Sequence, residues 1–439
     1  MNDLLLKNCK LVDKSGLYYI GINNTKIAEI SKQPLKSDDT IDIKGKIVLP
    51  GLIDPHVHFR DPGLTYKEDF KTGSMSAANG GFTTVLDMPN TVPPTNTAKN
   101  FQRKKKNAEK KSIIDFGFHA GVNNLDELEK IAKLNPASFK IFMDLYDDEE
   151  IDEIVKNISI INDKKQGKAI PITFHCENKK AIELSTKLAK EIDNSHALPG
   201  RYHEKIRPPA AEWDSVSCAI LLAKKHKVPV HICHISTKVV LENVDFIANP
   251  SIDISSEITP HHLLLDISAF DKFGNLVKTN PPLRSKKDKI TLANLENVTM
   301  IGTDHAPHSL DEKEKGVWDS SPGIPNLETV LPLLLTEVNK GNINIKMIPK
   351  LMSKNPAKRF NIPNKGKIEI GYDADFSIVD LKKEGKFNID TFYTKAKYSP
   401  FANWDYKGIA TMTISKGSII MNDGDVYYSY DKKGKYVFD

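Results

Sequence analysis

Histidines recur at the ends of short apolar segments of this chain, where a buried strand would normally end in a turn residue such as Gly, Asn or Asp. His56 and His58 form a His-x-His pair in PGLIDPHVHFRDPG. Side chains two positions apart on an extended strand point the same way, so both imidazoles can reach one metal ion. Taken alone, such a pair is more often two hydrogen-bonded polar histidines than a metal site.

Three later segments end in further candidate ligands. His175 closes IPITFHCE, His234 lies in VPVHICHI, and Asp304 lies in VTMIGTDH. Imidazole and carboxylate groups suit Zn²⁺ or a similar divalent transition metal. Four histidines and one aspartate exceed what one tetrahedral ion with an open position requires, so the pattern indicates a pair of ions.

A pair of metal ions needs a bridging anion, and Lys140 in SFKIFMD is a candidate for it. A lysine by itself is more typical of a surface or an ion pair, but carboxylation by CO₂ turns it into a bidentate carbamate. Asp304 is a candidate base, because a carboxylate beside a water activated by a metal can take its proton and pass it to a leaving nitrogen. The alternative for Asp304 is an ordinary turn or helix cap.

The elements that position these residues are read from apolar runs rich in β-branched residues and too short for helices. Eight such runs lie at 51–58, 82–89, 112–120, 138–144, 170–177, 228–235, 251–258 and 298–305. They alternate with charged, helical segments, such as the one over 67–79 that ends at Gly80 and Gly81. The alternation predicts an α/β fold, a (β/α)8 TIM-type barrel over 51–360 with its site at the carboxyl ends of the strands. Asn90, His119 and Glu257 also stand at such ends.

The two ends of the chain have a different character. Residues 1–50 and 361–439 read as short strands joined by turns, and we expect them to combine into one small β-sandwich domain.

Composition excludes several classes of protein. Of 439 residues, 39% are hydrophobic and 27% charged, as in ordinary soluble proteins, and the net charge of +5 is mild. The lysine run at 104–106 is interpreted as a solvated helix face, because no aromatic residues and no nucleic-acid motif accompany it. Four scattered cysteines favour a reducing cytoplasmic setting, and no segment indicates a membrane.

Several motifs together resemble the dihydroorotase family of the amidohydrolase superfamily. They are PGLIDPHVHFRDPG, MPNT, TPHHLLL, NPPLR, TDHAPH and GYDADFSIVDL. The resemblance extends from about residue 51 to the GYDADFSIVDL segment. Asp-x-His-x-His alone marks only the superfamily, whereas HFR followed by TDHAPH is much more specific.

The resemblance implies a two-zinc site. The implied metal ligands are His56, His58, Lys140, His175, His234 and Asp304. Lys140 would be the bridging N6-carboxylysine, with Asp144 as the alternative bridge, and Asp304 would also be the catalytic base. HICHIST holds two histidines; the family uses the one before the hydrophobic-Ser-Thr step, which is His234, and His231 is expected to be structural.

The resemblance also implies a pocket for a small cyclic amide with a free carboxylate. The implied substrate contacts are His58, Arg60, Asn90, Asn280, His308, Pro322 and Gly323. Arg60 can form a bidentate pair with the carboxylate; its alternative is a surface ion pair with Asp61. Asn280 precedes two prolines and has turn capping as its alternative. For His261 and His262 in TPHH we expect packing or hydrogen bonding rather than direct chemistry.

The implied activity is reversible hydrolysis of (S)-dihydroorotate to N-carbamoyl-L-aspartate in pyrimidine biosynthesis. One alternative is a related cyclic amidase, such as a hydantoinase, dihydropyrimidinase or allantoinase, which shares the metals but not the need for Arg60. Another is a non-catalytic homologue that supports aspartate transcarbamoylase. We expect a small-molecule substrate, no nucleic-acid or membrane partner, and either a homodimer or an association with aspartate transcarbamoylase.

Overall fold

Two sheets organise the protein, and both are seen in a computed structural model that describes residues 2–193, 198–247, 252–429 and 433–439. The amino-terminal strands are β1 (Asn2–Leu11), β2 (Leu17–Asn23), β3 (Lys26–Ser31), β4 (Ser37–Asp42) and β5 (Ile47–Pro50). The barrel strands are β6 (Leu52–Val57), β7 (Phe82–Asp87), β8 (Asp115–Gly121), β9 (Ser138–Phe142), β10 (Ile172–His175), β11 (Val230–Ile232), β12 (Ile254–Ile258) and β13 (Met300–Ile301). The carboxyl-terminal strands are β14 (Phe376–Lys386), β15 (Asp405–Ser415), β16 (Ser418–Asn422) and β17 (Asp425–Val426).

Helices lie between the barrel strands and after them. They are α1 (Phe70–Asn79), α2 (Ala98–Lys111), α3 (Leu128–Ala132), α4 (Asp148–Lys164), α5 (Lys179–Ile192), α6 (His203–Ile206), α7 (Pro209–His226), α8 (Lys238–Ile247), α9 (Pro260–Leu264), α10 (Ala269–Phe273), α11 (Leu310–Lys313), α12 (Val330–Asn339), α13 (Met347–Pro349) and α14 (Asn355–Arg359). None of the helices in the described ranges is both long and apolar enough to cross a membrane.

The central sheet is a parallel barrel. Its strands run in sequence order from β6 to β13, each pairing in parallel with the next. Strands covered on both faces must be apolar throughout, and all six residues of β6 and of β7 are buried. The first and last strands approach at the mouth, where Val57 bridges to His305 and the His58 amide donates to the His305 carbonyl at 2.8 Å. The TIM-type barrel predicted from the alternating runs is confirmed.

Both chain ends share the second sheet. β14 pairs with β5, so the carboxyl-terminal strands continue a sheet begun by the amino-terminal ones. Most of its pairs are antiparallel, although β4 and β5 each run parallel to β1. The sheet has a core of its own, which includes Leu6, Ile22, Val48, Phe376 and Ile414. The expected union of the two ends in one small β domain is therefore found, while the limits 1–50, 51–360 and 361–439 stay predictions.

Helix α1 begins three residues later than the predicted segment at 67–79. Asp69 ends the preceding loop and accepts hydrogen bonds from the amides of Lys71 and Thr72, which caps the helix. The predicted end is found: Gly80 caps the helix and Gly81 follows with φ +89°. The delayed start leaves Lys67 in the loop at the barrel mouth.

The interpretation of the lysine run as a solvated helix face is wrong for its first member. Lys104 on α2 is fully buried, with its ammonium 2.6 Å from Asp87 and 2.7 Å from the Met88 carbonyl. A buried charge needs a partner of this kind, and Asp87 at the end of β7 provides it. Lys105 and Lys106 are half-buried and exposed, respectively.

Candidate metal centre and substrate pocket

One group of candidate ligands joins the first and last barrel strands. His56 lies in β6, His58 follows β6, and Asp304 follows β13. Oδ1 of Asp304 lies 3.0 Å from Nε2 of His58 and 3.3 Å from Nε2 of His56. All three side chains are buried, and their ligand atoms lie within 4.8 Å of one another.

A second group joins the fifth and sixth barrel strands. His175 ends β10 and His234 follows β11, and Nδ1 of His175 lies 3.0 Å from Nε2 of His234. The ring centroids of His56 and His234 are 5.3 Å apart, so the two groups adjoin. Burial, with the neighbouring His175 and His56, holds the pKa of His234 well below its usual value, so its imidazole is neutral. Neutral imidazole is the form that binds metal ions.

Lys140 in β9 lies under this mouth. Its side chain is buried, and its Nζ donates to Sγ of Cys233 at 2.9 Å. Cys233 in turn belongs to a compact group with His56 and His234. The lysine amine therefore reaches the area between the two histidine groups. Asp144 lies on the other side of the His175 ring. Its Oδ1 is 3.9 Å from Nε2 of His175, and its Oδ2 is 3.1 Å from Nη2 of Arg207.

Three carboxamide or carboxylate side chains orient the imidazoles. Nδ1 of His56 lies 2.5 Å from Oε1 of Glu257, Nε2 of His175 lies 3.0 Å from Glu177, and Nδ1 of His58 lies 2.8 Å from Oδ1 of Asn90. Each partner occupies one ring nitrogen and leaves the other facing the group. This is how histidines that bind metals are usually held. The role of Glu177 and Glu257 was not predicted from the sequence, although Glu257 closes its apolar run.

The donor set passes a test for a metal ion. His56 donates through Nδ1 to Glu257, so its Nε2 turns a lone pair towards Asp304, and two electron-rich atoms facing each other need a cation. Burial would lower the pKa of His56, but Glu257, Cys233 and Asp304 together raise it well above its usual value. The surroundings therefore favour a positive charge between Nε2 and Asp304, and a metal ion would take the place of the added proton. The buried Nδ1 of His234 has no hydrogen-bond partner among the described residues. Imidazoles, a carboxylate and a lysine that can become a carbamate fit zinc or a similar ion.

Site residues also stand on strained backbone. Arg60, His234 and Asp304 have φ values of +61°, +32° and +46°, in the left-handed region that side chains with a Cβ rarely adopt. Such conformations persist only where surrounding contacts impose them, and they concentrate at functional sites. One of these contacts is the His234 amide, which donates to Oε1 of Glu257 at 3.2 Å.

The residues predicted to bind a substrate carboxylate lie beside the candidate metal ligands. Arg60 is buried, and its Nη2 lies 3.0 Å from Nε2 of His308, which is also 3.0 Å from the Pro322 carbonyl. Nε of Arg60 is buried without a hydrogen-bond partner among the described residues. Arg60 does not pair with Asp61, which instead accepts from Lys111 at 2.7 Å. A buried guanidinium with a free donor is prepared for an anion.

The remaining sequence candidates occupy other positions. Oδ1 of Asn280 accepts from Nε2 of His203 at 2.7 Å, so Asn280 is held by α6 rather than by the Arg60 group. Gly323 has φ +150°, and a Cβ there would lie 2.3 Å from the Ala306 carbonyl oxygen. His261 bonds to Asn326 at 2.9 Å.

Three other histidines named in the sequence analysis make structural hydrogen bonds. Nε2 of His262 bonds to the Pro281 carbonyl at 3.0 Å, and Nε2 of His119 bonds to the Pro55 carbonyl at 2.9 Å. Nε2 of His231 lies 3.0 Å from Glu257, which links it to His56 only through that carboxylate.

Comparisons with known proteins agree on one family. The model of the amidohydrolase family matches residues 47–420. A protein named dihydroorotase from Methanosphaera stadtmanae is 48% identical over 100% of both chains. One of the same name from Methanothermobacter thermautotrophicus is 46% identical over 100% of this chain and 97% of its own. Among solved structures, an L-hydantoinase (dihydropyrimidinase) from Arthrobacter aurescens is 31% identical, with a TM-score of 0.92 over 100% of both chains.

Proposed function

The chain belongs to the amidohydrolase family, and we propose that it is a dihydroorotase that opens the ring of (S)-dihydroorotate to N-carbamoyl-L-aspartate, reversibly, in pyrimidine biosynthesis. The substrate is inferred mainly from the buried Arg60. Its Nε has no hydrogen-bond partner among the described residues, and its guanidinium lies beside the neutral His308 and next to the histidine groups. A hydantoin or dihydrouracil ring has no carboxylate to occupy such a group. Similarity to the dihydroorotases supports the same choice.

The metal ions are assigned to this chain's residues as follows. His56, His58 and Asp304 would hold one zinc ion, His175 and His234 a second, and carboxylated Lys140 would be shared by both. When bound, such ions polarise a carbonyl oxygen and lower the pKa of water, so that hydroxide is available near neutral pH.

Arg60, Asn90 and His308 would hold the substrate carboxylate, and the loop at Pro322 and Gly323 would face the ring. Bidentate guanidinium–carboxylate pairing fixes both the position and the rotation of the ring. His308 contributes as a neutral imidazole, because burial and the nearby Arg60 and Lys67 lower its pKa to about 2. Such positioning accelerates a reaction by removing the entropy cost of alignment.

Asp304 would transfer the proton. In ring opening, a bond forms between the water oxygen and the amide carbonyl carbon, and the bond from that carbon to the ring nitrogen breaks. The Asp304 carboxylate takes the proton of the attacking water and delivers it to the departing nitrogen. Burial would raise the pKa of this carboxyl, but His56 and His58 hold it below its usual range. The carboxylate is therefore ionised, which is the form that a proton acceptor requires.

The test is a zinc-replete assay of ring opening, read as loss of ultraviolet absorbance. We expect turnover of dihydroorotate and little or none of dihydrouracil, hydantoin or allantoin. Asp304→Asn should abolish turnover while the circular dichroism spectrum is kept. Preference for a substrate without a carboxylate would assign the chain to the hydantoinase type instead. A purified protein without metal and without turnover would support the non-catalytic alternative.

Assembly and location are proposed with the same activity. We expect a homodimer, or an association with aspartate transcarbamoylase, in the cytoplasm. Light scattering of the purified chain measures whether it is a dimer. Light scattering of a mixture with the transcarbamoylase of the same organism measures whether the two proteins associate. A monomer that stays separate from that enzyme would contradict the proposal.

A further inference from the structure

A fully buried lysine connects two backbone segments beside the proposed substrate site, and the proposed chemistry does not use it. Lys313 ends α11 and is fully buried. Its Nζ donates hydrogen bonds to three backbone carbonyls, those of Lys278 at 2.9 Å, Ser321 at 2.9 Å and Gly323 at 3.0 Å. The first carbonyl is two positions before Asn280, and the other two lie on either side of Pro322. Lys313 therefore ties together two segments that carry implied substrate contacts.

The three carbonyls match an ammonium group. An ammonium has three N–H donors and no lone pair, whereas a neutral amine has two N–H groups and a lone pair that would face the third carbonyl oxygen. Burial and the nearby Lys278 lower the pKa of Lys313, and the three carbonyl dipoles act in the opposite direction by stabilising the charge. No carboxylate pairs with Lys313 among the described residues. Its polar contacts are thus with the backbone of two segments and not with an acidic partner.

A second buried lysine holds the earlier part of the same loop. Lys278 is 5% exposed, and its Nζ donates to the carbonyls of Val317 at 2.6 Å and Ser320 at 2.5 Å. The loop that follows α11 therefore directs its carbonyls inward and depends on lysine donors for them. Buried carbonyls need such partners, because an unpaired one costs free energy comparable to a lost hydrogen bond.

The Ser321 carbonyl depends on Lys313 more than the other two carbonyls do. The Lys278 carbonyl also accepts from the Gly323 amide at 2.9 Å, and the Gly323 carbonyl also accepts from the Tyr398 hydroxyl at 3.0 Å. No second donor reaches the Ser321 carbonyl among the described residues. Loss of the lysine would leave this carbonyl without a partner.

The Ser321 carbonyl belongs to the peptide unit that leads into Pro322. Lys313 therefore fixes the rotation of that unit, and the Pro322 carbonyl lies 3.0 Å from Nε2 of His308. Neither Pro322 nor Gly323 has a polar side chain, so only backbone contacts can hold this part of the loop in register. A displacement of about 1 Å at a binding site is enough to lower affinity and rate strongly.

We propose that Lys313 is a positioning residue, which holds the loop of Pro322 and Gly323 at a fixed distance from the segment 278–280 and so sets the space that receives the substrate ring. This inference rests on the proposed function and deepens it. Lys313 does not touch the ring itself. It acts through the two backbone segments, whose carbonyls share its ammonium group.

Kinetics of the zinc-loaded enzyme provide one test. Lys313→Met keeps a side chain of similar volume without donors, and KM for dihydroorotate should rise about 10- to 100-fold, the effect of losing one or two contacts to the ring. Destabilisation alone would not have this effect. An unfolded fraction lowers the apparent kcat, while the molecules that stay folded keep their KM. An unchanged KM would overturn the proposal.

Lys365→Met is the matched control. It removes another fully buried ammonium, whose three carboxylate partners lie at the start of β8 and next to β14, away from the barrel mouth. It should lower stability and leave KM for dihydroorotate unchanged, and an equal rise of KM in both variants would overturn the proposal.

Lys313→Gln is the second variant, in case Lys313→Met does not fold. A shorter side chain with two N–H donors cannot bind all three carbonyls, so its KM should rise as well. A KM equal to that of the wild type in Lys313→Gln would also contradict the positioning role.

Hydrogen exchange of the zinc-loaded protein, followed by mass spectrometry, reads the loop directly. We expect faster exchange confined to residues 316–324 in Lys313→Met, and no such local increase in Lys365→Met. Unchanged exchange of this segment in Lys313→Met refutes the role of Lys313. Absence of dihydroorotate turnover in the wild type would refute the proposed function instead, and the exchange would still decide whether Lys313 holds the loop.

Discussion

Lys365 holds the outer sheet to the barrel, and its replacement by methionine is expected to destabilise the protein strongly. Its Nζ lies 2.8 Å from Asp115 at the start of β8, and 3.0 Å and 2.5 Å from Asp373 and Asp375 next to β14. Only 4% of the side chain is exposed. Burial would lower the pKa of Lys365, but the three carboxylates raise it far above its usual value, so the ammonium is charged at every ordinary pH.

The expected cost follows from what remains after the change. Lys365→Met leaves three buried carboxylates with only two other lysines beside them: Lys416 at 2.7 Å from Asp115, and the more exposed Lys26 at 2.5 Å from Asp373. Removing one partner of a buried ion pair typically costs about 3–5 kcal/mol. Methionine has a similar volume, so a cavity adds little. We therefore expect a loss of about 3–5 kcal/mol in the free energy of unfolding.

The assay is equilibrium unfolding in urea, followed by circular dichroism, with Lys367→Met as the control. Lys367 pairs with Glu369 on the surface, where ion pairs contribute little, and its loss should leave the free energy of unfolding nearly unchanged. The sign of the pH dependence is a second readout. Carboxylates deprived of Lys365 have raised pKa values in the folded state, so the penalty should be largest near neutral pH and shrink as acid protonates them. Equal effects of the two variants, or a penalty that grows in acid, would refute this reasoning.

Three further predictions concern single residues. Lys140→Ala should empty at least one metal position, measured by metal analysis of the purified variant; full occupancy would contradict the bridging role. Glu177→Gln should weaken metal binding about 10- to 100-fold in competition with a chelator, because the carboxylate orients His175; unchanged affinity would exclude that role. Burial raises the pKa of Glu328 to about 7 despite several hydrogen-bond donors around it, so the stability it contributes below the unfolded pKa is lost as pH rises towards 7. In Glu328→Gln the fall in stability between about pH 4.5 and 7 should be reduced, and an identical pH profile would show that Glu328 does not titrate there.

Residues at strand ends were the part of the site that local pattern could find. His56, His175 and Asp304 were found because a polar side chain follows an apolar run, and parallel strands deliver such side chains to one mouth. Their contacts at 3.0–3.3 Å could not be derived, since they join residues far apart in the sequence.

Neighbours brought in by other strands escaped prediction. Cys233 follows β11 and contacts Lys140 of β9, while Glu257 of β12 contacts His56 of β6. The prediction that Lys104 is solvated was wrong, because helical spacing shows which face a residue occupies but not that Asp87 lies next to that face and pairs with the lysine. Arg60 had a surface pair with Asp61 as its alternative, and only the fold shows Asp61 bound to Lys111.

The sequence by itself determined the barrel, the sheet shared by both ends, and the set of side chains at the mouth. These depend on hydrophobic periodicity and on residue types at strand ends, which are local properties. Tertiary structure alone decided which nitrogen of His56 and of His58 faces the centre, because Glu257 and Asn90 come from another strand and a loop to occupy the opposite nitrogen. It also placed Lys67 behind His308, since a hydrogen bond over 241 positions depends on how the barrel closes rather than on any pattern along the chain.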